Sequence, residues 1–149
     1  MKYKIICIGK IKEQFYRDEV DELLKSIRRK NDEIDIIELQ DANIPDKLKA
    51  SSIEKFLEKE CKPIYGKIEK NNFVIALCIE GKEITSDKHR EIVHNAFDFG
   101  KNCITYLIGG SLGLPENVKK LADVKMSFSK MTFPHQLMRI ILLEEILHL

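Results

Sequence analysis

Two basic side chains, His135 and Arg139, stand at the start of the last periodic segment of the chain. Residues four apart share one face of an α-helix, with their Cβ atoms about 5–6 Å from each other. An arginine in that position could hold a phosphate group, and a histidine beside it could donate a hydrogen bond or carry a proton. The surface of an amphipathic helix would carry the same two residues, so the pair alone leaves catalysis open.

The stretch that leads into this helix begins at Ser127 and separates a short apolar run from the periodic segment. It is therefore predicted to be a strand-to-helix loop, in which Thr132 caps the helix and Pro134 occupies its first turn. Free amides at a helix N-terminus favour a polar or anionic ligand. Many capped loops of this kind bind nothing, and that alternative stays open.

A second candidate is the glycine-rich run Gly109–Gly113, which directly follows a predicted buried strand. Ligands of open parallel sheets bind at the carboxyl ends of the strands, where this run, residues 129–133 and Ile79–Lys82 are all predicted to lie. The run has neither the spacing of a dinucleotide fingerprint nor the Gly-Lys-Ser/Thr of a phosphate loop. Paired glycines would let a ligand approach the backbone, but a tight turn needs them equally.

Other chemistry has little support in the sequence. Glu144 and Glu145 are adjacent, so their side chains point in different directions on a helix and do not form an acid/base pair. His89 and His94 are predicted to lie on a solvated helix. Metal-ligand spacing is absent, and we expect free, packed thiols at the four cysteines, Cys7, Cys61, Cys78 and Cys103.

Apolar runs and helical periodicities alternate along the chain and must position these loops. Strands are predicted over residues 3–8, 34–39, 73–79, 103–108 and 124–128, the second of them nearer an edge. Helices are predicted over residues 12–29, 53–61, 86–100, 115–122 and 134–149, with Ser51 or Ser52 capping the second and Ser86 the third. This order predicts one α/β domain, residues 1–149, with a mostly parallel sheet and helices on both faces.

The charge balance bears on possible partners. The chain has 25 basic and 24 acidic side chains, so no global field attracts nucleic acid, although a local patch would suffice. No apolar run approaches the ~20 residues of a membrane span, and the apolar start is too short for a signal peptide. We therefore expect a cytoplasmic protein without a membrane partner.

Several of these segments together resemble one known family. The segments are Ile8–Lys10, Leu77 with Gly81 and Lys82, Ile108–Ser111 with Gly113 and Leu114, and above all Ser127–Gln136 with Arg139 and Glu144. They are similar to the large-subunit ribosomal RNA methyltransferase H family, which belongs to the SPOUT methyltransferases. The likeness spans nearly the whole chain in the same order, and the block before the last helix is a specific signature.

The resemblance implies a homodimer with a deep trefoil knot at the carboxyl end of the sheet. It implies transfer of a methyl group from S-adenosylmethionine to N3 of a pseudouridine in large-subunit rRNA, on the subunit or the assembled ribosome, without a metal. Arg139 then becomes the candidate for an RNA phosphate and His135 for orientation of the substrate. The implied cofactor-binding positions are Leu77, Gly109, Phe128, Ser129, Lys130, Met131, Thr132 and Phe133.

The chain departs from the family pattern near its last helix. Leu147 and His148 occupy positions where members carry Tyr-Arg, and the basic and aromatic tail that helps form the family's substrate site does not follow Leu149. Cys78 stands where an acidic residue is expected. One alternative is therefore a dimeric relative that binds cofactor or RNA without turnover. An unrelated nucleotide-binding module is disfavoured by the glycine pattern.

Overall fold

The computed structural model describes every residue from Met1 to Leu149, and five parallel strands form one sheet at its centre. The strands β1 to β5 span Lys2–Ile8, Glu33–Leu39, Asn72–Glu83, Cys103–Ile108 and Val124–Ser127. Their spatial order in the sheet is β2-β1-β4-β3-β5. Strand β4 is therefore central, and the predicted edge position of β2 is confirmed.

Helices cover both faces of the sheet, because the apolar runs Ile5–Ile8, Val74–Leu77 and Cys103–Ile108 of the inner strands are buried on both sides. Side chains of α1, α3 and α5 form the larger core with one face, and side chains of α2 and α4 form the smaller core with the other. The predicted α/β class, with a parallel sheet between two helical layers, is confirmed. The helices α1 to α5 span Gln14–Arg29, Ile53–Cys61, Ser86–Asp98, Glu116–Lys119 and His135–Leu147. None of these helices is long and apolar enough to cross a lipid bilayer.

Helix starts are where the predictions fail most often. Thr85, not Ser86, precedes α3, and its hydroxyl accepts a hydrogen bond from the Lys88 amide at 3.2 Å. Ser52 precedes α2 without a side-chain cap. Thr132 does not cap α5, because that helix begins at His135 with Pro134 in the capping position. The trefoil knot stays a prediction from the resemblance.

Strand β3 contains an irregularity that shapes one end of the sheet. Leu77 and Lys82 both pair with Met126 of β5, so Cys78–Gly81 leaves the ladder as a bulge. A Cβ on Gly81 would lie 2.7 Å from the Met126 carbonyl carbon, which makes glycine necessary at this crossing. Pairing with β5 resumes at Lys82, while the bulge residues Cys78, Ile79 and Glu80 line a cavity at this end of the sheet.

Candidate functional site

A cavity of about 560 Å³ lies at the carboxyl ends of β3, β4 and β5. Its size falls in the range of small-molecule sites, roughly 300–1,000 Å³. Half of its 22 lining residues are hydrophobic, and the lining comes from the β3 bulge, from the two loops after β4 and β5, and from the first turn of α5. The structure thus brings together the three segments that the sequence placed at strand ends.

The first wall is the glycine loop, residues 109–114, in which the backbone at Gly109 lies close to the backbone at Gly113. A Cβ on Gly109 would lie 2.4 Å from the carbonyl carbon of Gly113. The Gly113 amide donates to the Gly110 carbonyl at 3.1 Å, and Gly113 has a φ of +86°. A tight turn therefore requires these glycines, which is one of the two roles that the sequence left open. The same turn also lines the cavity.

The opposite wall is the serine loop, residues 127–134, which is held by two local hydrogen bonds. Ser127 Oγ donates to the Ser129 carbonyl at 2.8 Å, and the Met131 amide donates to Ser129 Oγ at 3.0 Å. The side chain of Met131 remains 71% exposed, and Phe133 is also exposed. This loop therefore stands over the cavity with little packing behind it.

The eight positions that the resemblance assigns to a cofactor fall in these same walls, with one exception. Lys130 is exposed and does not line the cavity. Seven of the eight do line it: Leu77, Gly109, Phe128, Ser129, Met131, Thr132 and Phe133. Their role in binding stays a prediction, although the fold places them around one space.

The only lysine or arginine side chain of the cavity lining, Lys119, is already engaged by carboxylates. Its ammonium group forms ion pairs with Glu80 in the β3 bulge and, at 3.2 Å, with Glu116. No unpaired cation therefore faces the cavity, which disfavours a ligand with several phosphate groups.

Arg139 does not face the cavity or the solvent. It is fully buried, with Nη1 donating to Glu38 Oε2 at 2.8 Å and Nη2 donating to the carbonyls of Ile8 and Gly9 at 3.1 and 2.6 Å. Contact with an RNA phosphate would require these bonds to break. The predicted phosphate role is therefore wrong for this arrangement, in which Arg139 holds α5 against the end of β1.

His135 lies in the lining of the cavity, and its role in orienting the substrate stays a prediction. Its half-buried ring lines the large cavity and a smaller neighbouring one, and it makes no hydrogen bond within the chain. Burial lowers the pKa of this imidazole below its ordinary value, and the positive charge of Arg139 lowers it further. The ring is therefore neutral near pH 7 and can donate or accept one hydrogen bond.

The smaller cavity has a volume of about 190 Å³ and a more polar lining. It shares Gly110, Ser111, Leu112 and His135 with the larger one, so the two are adjoining. Its remaining lining residues are Asp41, Ala42, Asn43, Ile44, Phe56 and Glu60. Sequence reasoning missed this space, because it recognised only the apolar face of α2 and treated residues 41–50 as a polar link.

The prediction for His89 was also wrong. The ring is 2% exposed, with Nε2 at 2.8 Å from the Tyr106 hydroxyl and Nδ1 at 3.4 Å from Glu145 Oε2. Charged sequence neighbours suggested solvent, but His89 lies on the side of α3 that faces β4 and α5. Burial lowers the pKa of this imidazole, so the group is a neutral hydrogen-bonding link between three elements.

The comparisons with known proteins agree with this architecture. A family model described as a predicted SPOUT methyltransferase matches residues 1–148. A ribosomal RNA large subunit methyltransferase H 1 of Thermoanaerobacter pseudethanolicus is 47% identical over 98% of this chain and 94% of its own length. Proteins named ribosomal RNA large subunit methyltransferase H from Streptococcus pyogenes and Streptococcus uberis are each 43% identical over 98% of this chain and 91% of their own lengths. The chain therefore belongs to the SPOUT methyltransferases and, within them, to the ribosomal RNA large subunit methyltransferase H family.

Proposed function

We propose that this protein transfers the methyl group of S-adenosylmethionine to N3 of a pseudouridine in large-subunit ribosomal RNA. The observation that carries the proposal is the cavity at the carboxyl ends of β3, β4 and β5. Seven of the eight positions that the family resemblance assigns to the cofactor line that one space. Close relatives named as ribosomal RNA methyltransferases support the choice of RNA as the methyl acceptor.

The lining suits a methyl donor that carries a nucleoside but no phosphate. Leu77, Met131 and Phe133 offer apolar surface that an adenine ring could contact, and the backbone of the two loops offers hydrogen-bond donors and acceptors. The paired state of Lys119 leaves no cation for phosphates. S-adenosylmethionine, when bound, supplies a methyl group on a positively charged sulfur. The protein has then to hold the acceptor atom near that methyl group and to assist loss of the N3 proton.

The acceptor is expected to be presented by a ribosomal particle rather than by free RNA. Because the chain carries 25 basic against 24 acidic side chains, its overall field contributes little to RNA affinity. Shape complementarity and local contacts with the large subunit or assembled ribosome would then supply most of the binding free energy. The working compartment is then the cytoplasm, where ribosomes are modified.

A homodimer is the expected assembly. Helix α5 carries half-buried apolar side chains on several sides, among them Leu137, Ile140, Ile141 and Leu147. A second copy of the chain could cover those that face outward. Sedimentation equilibrium at micromolar concentration tests this, since a monomer would exclude the assembly.

Two measurements test the proposed function. At a concentration about 100 times its dissociation constant, S-adenosylmethionine should raise the free energy of unfolding by about 2.7 kcal/mol. ATP at the same concentration is the control and should have no such effect, because the cavity lacks an unpaired cation. Radiolabelled methyl transfer to ribosomes from cells without this activity, followed by mass spectrometry of the nucleosides, should then identify N3-methylpseudouridine.

A binding-only relative is the second candidate. The specific observation in its favour is that Leu147 and His148 occupy the positions where the family pattern has Tyr-Arg. Such a protein would be stabilised by S-adenosylmethionine as above but would transfer no methyl group to ribosomes. The second measurement therefore separates the two candidates, and absence of stabilisation in the first would contradict both.

A further inference from the structure

The smaller cavity adjoins the larger one and has a more polar lining. The two spaces share part of the glycine loop and the ring of His135. An engineered cavity of about 150 Å³ in another protein holds one benzene ring. The 190 Å³ found here therefore accommodates a single pyrimidine ring and no whole nucleoside.

The Glu60 carboxylate lines the smaller cavity, and only one of its two oxygens accepts a hydrogen bond within the chain. The residue is only 8% exposed, and Oε2 accepts a hydrogen bond from the Ala42 amide at 3.1 Å. The other oxygen, Oε1, has no partner in the chain and would lie 3.4 Å from a Cβ built on Gly110. This free oxygen thus lies beside the part of the glycine loop that separates the two cavities.

On the basis of the proposed function, we propose that the smaller cavity receives the base of the target nucleotide and that Glu60 Oε1 accepts the proton from N3. A carboxylate oxygen is an acceptor only, so it pairs naturally with a ring N–H. The shared wall then places N3 of that base next to a methyl donor held in the larger cavity.

Among the acidic and basic groups around this cavity, Glu60 is the best proton acceptor. Asp41 is exposed to solvent, so water competes for its carboxylate oxygens. Burial, and after it the positive charge of Arg139, lowers the pKa of His135 and therefore its tendency to take up a proton. Burial raises the pKa of the Glu60 carboxyl, the Ala42 N–H lowers it in part, and the negative charge of Asp41 raises it again. His135, neutral and without a partner, is left to donate to a carbonyl oxygen of the base.

The proposed step balances in atoms and charge. The N3–H bond breaks as the proton passes to Glu60, and the electron pair on N3 forms a bond to the methyl carbon. The bond from that carbon to sulfur breaks, and its electron pair stays on sulfur. A sulfonium, a carboxylate and an N–H group become a neutral thioether, a carboxylic acid and an N-methyl group.

The substitution Glu60→Gln tests this role with little structural disturbance. The glutamine Oε1 can still accept from the Ala42 amide, while its Nε2 presents hydrogen atoms to the cavity and cannot take up a proton. Single-turnover methyl transfer to ribosomes should fall by about 10²- to 10⁴-fold, the usual contribution of a general base. Affinities for S-adenosylmethionine and for the ribosome should change by less than about threefold. Glu58→Gln, on the same helix but outside both cavities, is the matched control and should transfer at the unmodified rate.

The pH dependence of the methyl-transfer rate distinguishes a proton acceptor from a residue with only a structural role, since only a proton acceptor would give the rate an acidic limb. Transfer by the unmodified chain should slow as the pH falls through the raised pKa of Glu60, because the protonated acid cannot accept a second proton. Glu60→Asp should keep an acidic limb, and Glu60→Gln should lose it. An acidic limb that persists unchanged in Glu60→Gln would overturn the inference, and so would a rate of the unmodified chain that stays level down to the ordinary pKa of a glutamate carboxyl, about 4.3.

The remaining outcomes distinguish a failure of the Glu60 role from a failure of the proposed methyltransferase function. If the unmodified chain and Glu60→Gln methylate ribosomes equally fast, Glu60 is not the acceptor and the proposed function stands. Loss of cofactor affinity in step with the rate would make Glu60 a support for the loop and would equally overturn the inference. If the unmodified chain transfers no methyl group, both proposals fail.

Discussion

The glycine loop and the serine loop form opposite walls of one cavity, yet they are held in different ways. In the glycine loop the backbone packs against itself, with Gly109 and Leu114 buried and Gly110 bridged to Gly113. In the serine loop, residues 130–134 are exposed and the side-chain hydrogen bonds are local. One wall is therefore fixed by the fold before any ligand arrives, whereas the other depends on a few weak contacts.

This difference suggests a division of labour in binding. A wall formed by tightly packed backbone sets the shape of the cavity, since moving it would disturb the core behind it. A wall with exposed apolar side chains can close over a ligand and bury Met131 and Phe133 in doing so. Substitutions in the glycine loop should therefore lower stability, and substitutions in the serine loop should lower affinity.

The largest effect is expected from Gly109→Ala. The new methyl group would lie 2.4 Å from the backbone of Gly113, which no side-chain rotation can relieve. We expect a loss of about 3 kcal/mol or more in the free energy of unfolding, at the upper end of overpacking effects, measured by urea denaturation. Gly66→Ala is the control, with no atom within 4 Å of its new methyl group, and should change stability by less than about 0.5 kcal/mol. Equal stability of the two variants would show that the glycine loop is not fixed.

Ligand binding should slow amide exchange mainly in the serine loop. With S-adenosylmethionine at about 100 times its dissociation constant, amide exchange in residues 128–133 should slow by up to ~100-fold, equivalent to about 2.7 kcal/mol. The Gly113 amide, already bonded to the Gly110 carbonyl at 3.1 Å, should be protected before the ligand is added. Hydrogen exchange followed by mass spectrometry measures both segments in one sample. Equal protection of the two loops without ligand would contradict the proposed division.

The fixed parts of the molecule are also the parts that the sequence predicts best. The sequence predicts strand β4 with its observed bounds, Cys103–Ile108, because a short, mostly apolar run between a glycine-ended helix and a glycine run has few other interpretations. The glycine loop was found from composition and position alone. The sequence predicts that β3 ends at Ile79, whereas the strand continues to Glu83. The continuation follows a bulge at Cys78–Gly81 that depends on pairing with β5, and no local sequence pattern indicates it.

Side-chain environments could not be predicted in the same way. The sequence predicts Arg139 at the surface, on an amphipathic helix or at an RNA phosphate, whereas the side chain is buried against β1 and Glu38. The sequence predicts a solvated His89 and gives no signal for Glu60, since charged neighbours in sequence say nothing about which side of a helix faces the sheet. Each of these depends on contacts between elements far apart in the chain, and a pattern of local spacing does not encode them.

Arg139→Lys tests what holds the start of α5 beneath the serine loop. Lysine keeps the charge but cannot donate from two nitrogens to Glu38 and to the carbonyls of Ile8 and Gly9 at once. We expect the free energy of unfolding to fall by about 2 kcal/mol, the value of one charge-assisted hydrogen bond. Arg29→Lys, at an exposed helix end, should have no measurable effect. Unchanged stability together with weaker ribosome binding would instead restore the phosphate role.

Ser129→Ala should have the smallest effect on stability and a clear one on affinity. The substitution removes the acceptor of the Met131 amide but keeps the Ser127 hydrogen bond to the Ser129 carbonyl. In the free protein that amide can bond to water, so the free energy of unfolding should change by less than about 0.5 kcal/mol. Once the loop closes over a ligand, the lost hydrogen bond should cost about 1 kcal/mol, which weakens binding roughly fivefold in calorimetric titration. Ser51→Ala, at an exposed serine, is the matched control. A fall in stability as large as the fall in affinity would mean that the serine loop is already ordered and part of the fixed fold.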